Sequence, residues 1–562
     1  MADNKPKTRE EIIQQDVHDL HKMGYAQQLF REMGGFSNFA VSFSIISILT
    51  GAMLLYGYGL KFAGPVINTV GWPVISLFVM CIAASMAEIA SAYPTAGGLY
   101  YWAFRLGNKK WAWTGAWLNM VGQITITAGI DIAAAIYIVG LLSRGFGVDP
   151  NLAIPVFGSL TNWFFYVFVM ILLMIPQVLF NIFGIKLTTK LTDFSVWWHI
   201  GGVLIMALLL TLFAKTHNSL AFVFSGVNTV NPLDAASATF ADGTTGPALV
   251  IGSLTLHSPL FAIVPGLVNL YKVAPFGFVF ILAFLQAQWT YTGFDASANV
   301  AEETVMARLN SAWGVFLSVA ISAIVGYIVL MALTFAIPDI AATVNDPYPV
   351  LYIAYSNLSL FMANLIGIIV FGGMWLCGLA SITNMSRMWF AFARDGGMPG
   401  SDVIKKVDPK WRTPINAILI TTFLAILLTV YSAAYSVITS ISTITLYIAY
   451  NLPVYLNLRN KLQKKGEFTT AENAPWNLKQ WGVPLNFIAV AYTVFITILF
   501  CLPPNELVLW TMLAISLLLF IYWQVYAKNH FKGPQEVSEA DLQRIEQQMA
   551  EAGHHAEQGA EI

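Results

Sequence analysis

The chain has 562 residues, 57% of them hydrophobic and only 10% charged, with a formal net charge of −1. Soluble domains carry about 25% charged residues, so this is the composition of an integral membrane protein that crosses the bilayer many times. The balanced charge leaves no basic field for nucleic acid, and Cys81, Cys377 and Cys501 lie in apolar runs without disulfide or metal spacing.

In chain order, residues 1–35 open with "MADNKPKTREEIIQQDVHDLHKMGY", which is polar and mixed in charge. With no apolar core segment, no cleaved signal peptide is expected and the stretch reads as a cytoplasmic tail. Twelve apolar runs follow, at about 39–63, 68–92, 111–142, 161–183, 191–213, 275–300, 312–337, 358–388, 413–431, 434–458, 483–502 and 506–527. Each is long enough to span a hydrocarbon core of about 30 Å. An even number returns both termini to one side. The loops on that side carry most of the Lys and Arg, including Arg105, Lys109, Lys110, Lys186, Lys190, Arg308, Lys405, Lys406, Lys410, Arg412, Lys464 and Lys465. Opposite them stand only Lys61, Arg144, Lys215 and Lys272, so the positive-inside rule places both termini in the cytoplasm. The connection 214–274 contains "VNPLDAASATFADGTTGP", rich in turn residues, and reads as a surface loop. In the tail 531–562, Ser538 followed by Asp541 resembles a capping box and predicts a short solvated helix.

Several residues are out of place in a span. Span one holds Thr50-Gly51-Ala52 and then Gly57 and Gly59; span six holds Gly293. Glycine-weakened helices at matching positions of two halves are the pattern of paired broken helices, whose freed backbone groups a polar substrate could bond. Asp295, two residues beyond Gly293, is either a functional intramembrane carboxylate or a favourable charge in the first turn of an inner half-helix. Asp131 lies partly on a polar stripe with Asn119, Gln123 and Thr127, and either attracts a cationic group or bridges helices. His199, in "DFSVWWHIGG", is either a satisfied core residue or a titrating group in a proton relay. Trp289, Tyr291, Phe294 and Tyr56 flank the interruptions and could face an amine. Glu88, Glu302 and Glu303 lie at the inner edge and read as ion-pairing or surface charges.

Three segments in order, "AEIASAYPTAGGLYYWAFRLG", "YTGFDASANVAEET" and "SRMWFAFARDGGMPGS", resemble motifs of the amino acid–polyamine–organocation transporters, and "ILTGAMLLYGYGLKFAGP" with "GGLYYWAFRLG" looks most like the amino acid/choline branch. The resemblance covers about 35–530 and implies an all-α integral membrane fold of twelve transmembrane helices. Its core would be a LeuT-like 5+5 inverted repeat with broken helices 1 and 6, repeat one at about 36–213, repeat two at about 275–458, and additional helices at about 483–527. It also implies secondary active transport by alternating access. The substrate carboxylate would meet the first break, where the usual Gly-Ser-Gly is replaced here by Thr50-Gly51-Ala52. Trp289 would stack over the substrate beside Gly293. The position of a proton-coupling Lys in helix five falls on His199, and Ser381, with Thr383 second, is the polar residue of helix eight expected opposite it.

The expected activity is uptake across the cell membrane of a small amine-bearing zwitterion, GABA or another amino acid, driven by protons, with Thr50, Gly51, Ala52, Trp289, Tyr291, Gly293 and Asp131 toward substrate and His199, Ser381 and Asp295 toward the proton. A choline or polyamine carrier and a non-transporting nutrient sensor are the alternatives. No catalytic cluster, nucleotide motif or cofactor site is read, so an enzyme is not expected.

Overall fold

In hydrocarbon the backbone has no solvent to bond, so a crossing segment that is not part of a closed barrel must be a helix that satisfies its own N–H and C=O groups. The computed structural model describes residues 8–183, 185–226, 275–431, 435–464, 474–503, 505–534 and 537–558, with short pieces between 238 and 267. Among them, ten helices are long and apolar enough to cross a membrane. Two shorter apolar helices, Gly277–Thr290 and Ile415–Val430, take the places of the expected sixth and ninth spans.

Helix boundaries follow the apolar runs closely. Span two runs Ile67–Ala92, span three Lys109–Phe146, span seven Ala307–Phe335, span eight Leu360–Arg394 and span ten Val437–Gln463. Span three is the central post, with its most extensive contacts to spans eight and ten. Span four, Trp163–Phe183, presents Phe164, Phe168, Leu172, Ile175 and Leu179 as an exposed stripe at helical spacing. Such a stripe is suited to lipid tails.

Span one is divided. Gly35–Ile46 ends at Ser47, which adopts φ 23° and ψ 88°, and Ile48–Leu54 starts on its far side. The interruption is therefore at Ser47 and not at Thr50-Gly51-Ala52, which lies inside the second segment. Gly51 serves another purpose: a Cβ there would stand 2.6 Å from the Cα of Thr290, so two backbones cross in contact. Gly59 likewise makes room for Gln286, and Gly57 for Pro349.

Span six is divided where the sequence predicts. Leu285–Thr290 gives way to a turn through Tyr291–Asp295 before Ala296–Asn299. Gly293 has φ 97° and a Cβ on it would lie 2.9 Å from the Cβ of Ile45, in the last turn before the Ser47 break. The two breaks thus pack on each other.

The tails are not simple solvated ends. Thr8 and Glu11 form a reciprocal capping box that starts Arg9–Lys22. The predicted C-terminal helix is present as Glu539–Gln558, with the Asp541 N–H donating to Ser538 Oγ at 3.2 Å. It is docked rather than solvated, because Leu542 is buried and Glu546 reaches the N-terminal helix. The predicted surface-loop stretch falls mainly outside the described residues. Its described pieces pair as Ala238–Thr239 with Thr245–Gly246, followed by the hairpin of Ala248–Ile251 with Leu254–His257.

Gly293→Ala meets both a disfavoured backbone conformation and a filled site, and is expected to destabilise by about 2–5 kcal/mol. Gly147, at φ 71° with open space around it, isolates the backbone part, so Gly147→Ala should cost about 1 kcal/mol. Thermal unfolding in detergent checks the order of the two.

Candidate functional site

Freed backbone groups at a break cost several kcal/mol each in an apolar interior unless they are bonded. At span six they are met from two directions. Tyr450 Oη, from span ten, accepts the Gly293 N–H at 3.0 Å and donates to Asp295 Oδ1 at 2.8 Å. From span one, Ser42 Oγ donates to the Phe294 carbonyl at 2.9 Å and accepts the Ser297 N–H at 2.8 Å, while Asn38 Nδ2 donates to the Ser297 carbonyl at 2.8 Å.

Asp295 is fully buried at the centre of this arrangement. Its Oδ2 accepts from Gln123 Nε2 at 3.0 Å and Asn299 Nδ2 at 2.9 Å. Asn299 also donates to Asn384 Oδ1 at 2.8 Å, and Asn384 donates back to Gln123 Oε1 at 2.9 Å. The four side chains close a ring across spans three, six and eight. Asp295 occupies the N-cap position of Ala296–Asn299 but its side chain does not cap that helix.

At span one the arrangement is an open chain. His199 Nδ1 lies 2.8 Å from the Ser195 carbonyl, which only accepts, so Nδ1 carries the proton in the neutral ring. Nε2 is then the acceptor, 2.8 Å from Ser47 Oγ, and Ser47 Oγ is 2.6 Å from Thr50 Oγ1. A Cβ on Gly373 of span eight would stand 3.3 Å from Nε2, so this glycine admits the imidazole. One turn further on, Cys377 Sγ donates to the Ile45 carbonyl freed by the break, at 3.3 Å.

Between the breaks lies a cavity of about 10 Å³, walled by Thr50 and Gly51, by Ile126 and Ile130 of span three, and by Trp289, Thr290 and Thr292. That is room for about one water. An amino acid enters only if these walls part. Trp289 is anchored at one edge, its Nε1 donating to Ser442 Oγ at 2.9 Å.

The expected site residues therefore divide. Thr50, Gly51 and Trp289 line the cavity, Gly293 hinges the neighbouring break, and His199 connects to the wall through Ser47. Ala52 is buried beside them without lining the cavity. Tyr291 turns away, its hydroxyl 2.5 Å from Ser76 on span two and its ring against Trp72. Ser381 is not drawn to His199; its Oγ is 2.7 Å from Thr127 Oγ1. Thr383 donates to Asn181 Oδ1. Asp131 is a seam residue, its Oδ1 accepting from Gln177 Nε2 of span four at 2.9 Å against Gly378 of span eight. Ser47 carries no signal, being neither glycine nor proline, whereas Thr292 stands between Tyr291 and Gly293, and the ring partner Gln123 belongs to the polar stripe read on span three.

The side of the bundle that bears the chain termini is closed by buried ion pairs. Arg394 Nη2 meets Glu302 Oε1 at 2.9 Å, and Arg387 Nε meets Glu303 Oε1 at 2.8 Å. Glu302 and Glu303 are thus pairing residues, as one reading had it, and are not on the surface. Glu88 pairs with Lys461 at 2.5 Å. The N-terminal segment seals this layer. Arg31 donates to the Ala301 carbonyl at 3.1 Å, and Tyr25 and Tyr100 both donate to Asp395, at 2.7 and 2.6 Å. Burial pushes the Asp395 carboxyl up, opposed by the neighbouring Arg394. Burial likewise raises Asp16, opposed by Arg31 and by the N–H groups of Met306 and Ala307.

The amino acid permease family model matches residues 34–523. The chain is 32% identical over 555 residues to the amino-acid permease BAT1 of Arabidopsis thaliana, covering 92% of this chain and 95% of that protein. It is 34% identical over 543 residues to the BAT1 homolog of Oryza sativa, covering 92% and 94%. A Candida albicans protein named "Putative polyamine transporter" is 26% identical over 562 residues, covering 94% and 91%.

Two outcomes follow from the buried charges. Asp295→Asn replaces one acceptor oxygen with a donor facing other donors and should cost about 1–3 kcal/mol, more than Asp131→Asn, which keeps its single acceptor role. Glu303→Gln strands buried Arg387 and should cost about 3–5 kcal/mol, most of it recovered by Glu303→Met with Arg387→Met. Denaturation midpoints of the purified proteins check both.

Proposed function

The chain belongs to the amino acid permease family, and from that premise we propose that it imports a small amine-bearing zwitterion, GABA or another amino acid, coupled to protons by alternating access. The observation that carries this reading is the hydroxyl chain from His199 through Ser47 to Thr50, which joins a titratable ring to the wall of the cavity between two broken helices. A proton added at Nε2 turns that nitrogen from acceptor to donor, so Ser47 Oγ must become the acceptor and release its hydrogen toward another partner. Thr50 then reorients at the cavity wall. The protonation state of His199 and the shape of the substrate site are coupled in this way.

Polar contacts for the zwitterion would come from the hydroxyls of Thr50 and Thr292 and from backbone groups at the breaks, with the Trp289 ring facing the amine. Both termini would lie in the cytoplasm of a cell-membrane protein, with two five-span repeats related as the family resemblance implies. The name of the Candida relative keeps a polyamine or choline carrier as the second reading. Against it, none of the described cavity-lining residues is a carboxylate, and a polycation taken out of water needs counter-charge.

Uptake of labelled GABA and of an amino acid mixture into liposomes containing the protein is the test. An inward proton gradient should stimulate uptake about tenfold, and His199→Ala should remove that stimulation (1.4 kcal/mol of coupling per tenfold). Uptake driven by sodium alone with His199→Ala silent contradicts the proposal. Stronger competition by unlabelled choline or spermidine than by GABA favours the second reading, and ligand binding without flux points to a sensor.

A further inference from the structure

The closed layer on the terminal side is itself held from outside. Residues 25–33 cross it: Gln27 Nε2 donates to the Glu302 carbonyl at 2.9 Å, and the Arg394 guanidinium lies 3.9 Å from the centre of the Tyr25 ring. Met33 N–H donates to the Glu303 carbonyl at 2.9 Å, and Val305 N–H donates to the Met33 carbonyl at 2.8 Å. The same segment bonds the backbone on both sides of the Glu302–Glu303 pair, through Arg31 to the Ala301 and Thr304 carbonyls, and meets Arg394, the partner of Glu302, so the layer opens only if this segment moves.

The C-terminal segment lies over it. Beyond the last span, Phe531 is buried against Phe392 and Tyr100, which flank Asp395 on the closed layer. Further on, Glu546 Oε1 accepts the Gln27 N–H at 2.6 Å and meets His21 Nε2 at 2.8 Å. The Gln27 residue that Glu546 holds by its backbone is the one whose side chain holds Glu302. A single residue therefore transmits the position of the C-terminal helix to the buried ion pair.

We propose that the C-terminal segment described at 531–534 and 537–558 forms an autoinhibitory strap, which keeps the N-terminal segment seated on the Glu302–Arg394 and Glu303–Arg387 pairs and must lift before the terminal side opens. Beyond the buried Phe531 and Leu542, the polar hold is two bonds from one carboxylate on a partly exposed helix, so a modification or a partner that captures this helix would free the layer without touching the transmembrane core.

Amide hydrogen exchange of the full-length protein in detergent tests this independently of any substrate. The Met33 and Val305 amides report the layer without contacting the strap. In a chain ending at Lys532, and in full-length Glu546→Ala, both amides should exchange at least tenfold faster, with exchange in the span-three and span-ten core unchanged. If the shortened chain fails to fold, Glu546→Ala decides. Unchanged rates at Met33 and Val305, or an acceleration spread equally through the core, overturns the proposal.

Discussion

Everything distinctive here depends on how an unwound stretch of helix is paid for inside a bilayer. Lipid offers no hydrogen bonds, so the turn from Tyr291 to Asp295 exists only because Tyr450, Ser42 and Asn38 bring donors and acceptors to it. Tyr450 links the freed N–H of Gly293 to the Asp295 carboxylate, and that carboxylate is fixed in turn by Gln123 and Asn299. Spans one, three, six, eight and ten are tied together by what one broken helix lacks. The halves of spans one and six on the side of the chain termini, joined through Asn38, Ser42 and Ser297, share these bonds and so move together if they move.

The two breaks differ in their freedom. The ring of Asp295, Gln123, Asn384 and Asn299 is closed: each of its amides donates to a neighbouring member, and reversing one bond would set donor against donor. The run from His199 through Ser47 to Thr50 is built from hydroxyls, which rotate and serve as donor or acceptor. A closed amide ring suits a fixed scaffold, and a hydroxyl chain suits a change of state. On the function proposed above, the acidic residue beside the sixth-span glycine belongs with the framework and the histidine of span five with the moving part.

Much of the framework was legible because membrane physics writes it in long runs. Apolar stretches of about 20 residues located the spans to within a few positions, and the Gly293 break was marked by a glycine that the structure places at positive φ. The first break was misplaced for a physical reason. Glycine serves both as a hinge and as the contact point of crossing backbones, and one sequence does not separate the two uses. Gly51 is of the second kind, against Thr290, while the hinge falls on Ser47, a residue type with no reputation for it. Tyr291 and Ser381 were misjudged in direction, because a face of a helix is known only once its neighbours are. The polar stripe on span three was readable, but its partners lie more than 170 residues away on Asp295 and further still on Asn384. The N-terminal helix had a readable signal in "TREE", which forms the Thr8–Glu11 capping box.

The contact between Gly51 and Thr290 bears on how such a cavity can diversify. With the two backbones already touching, no side chain can be added at residue 51 without driving these two segments apart, so that wall is closed to variation. Thr50 is committed to Ser47, and Trp289 to Ser442. Thr292 is held as well, its hydroxyl donating to the Trp289 carbonyl, so what remains adjustable is the opposite wall, Ile126 and Ile130. A lineage that reshapes this cavity has those two positions to work with, and an exchange of bulk between them can offset without disturbing either break.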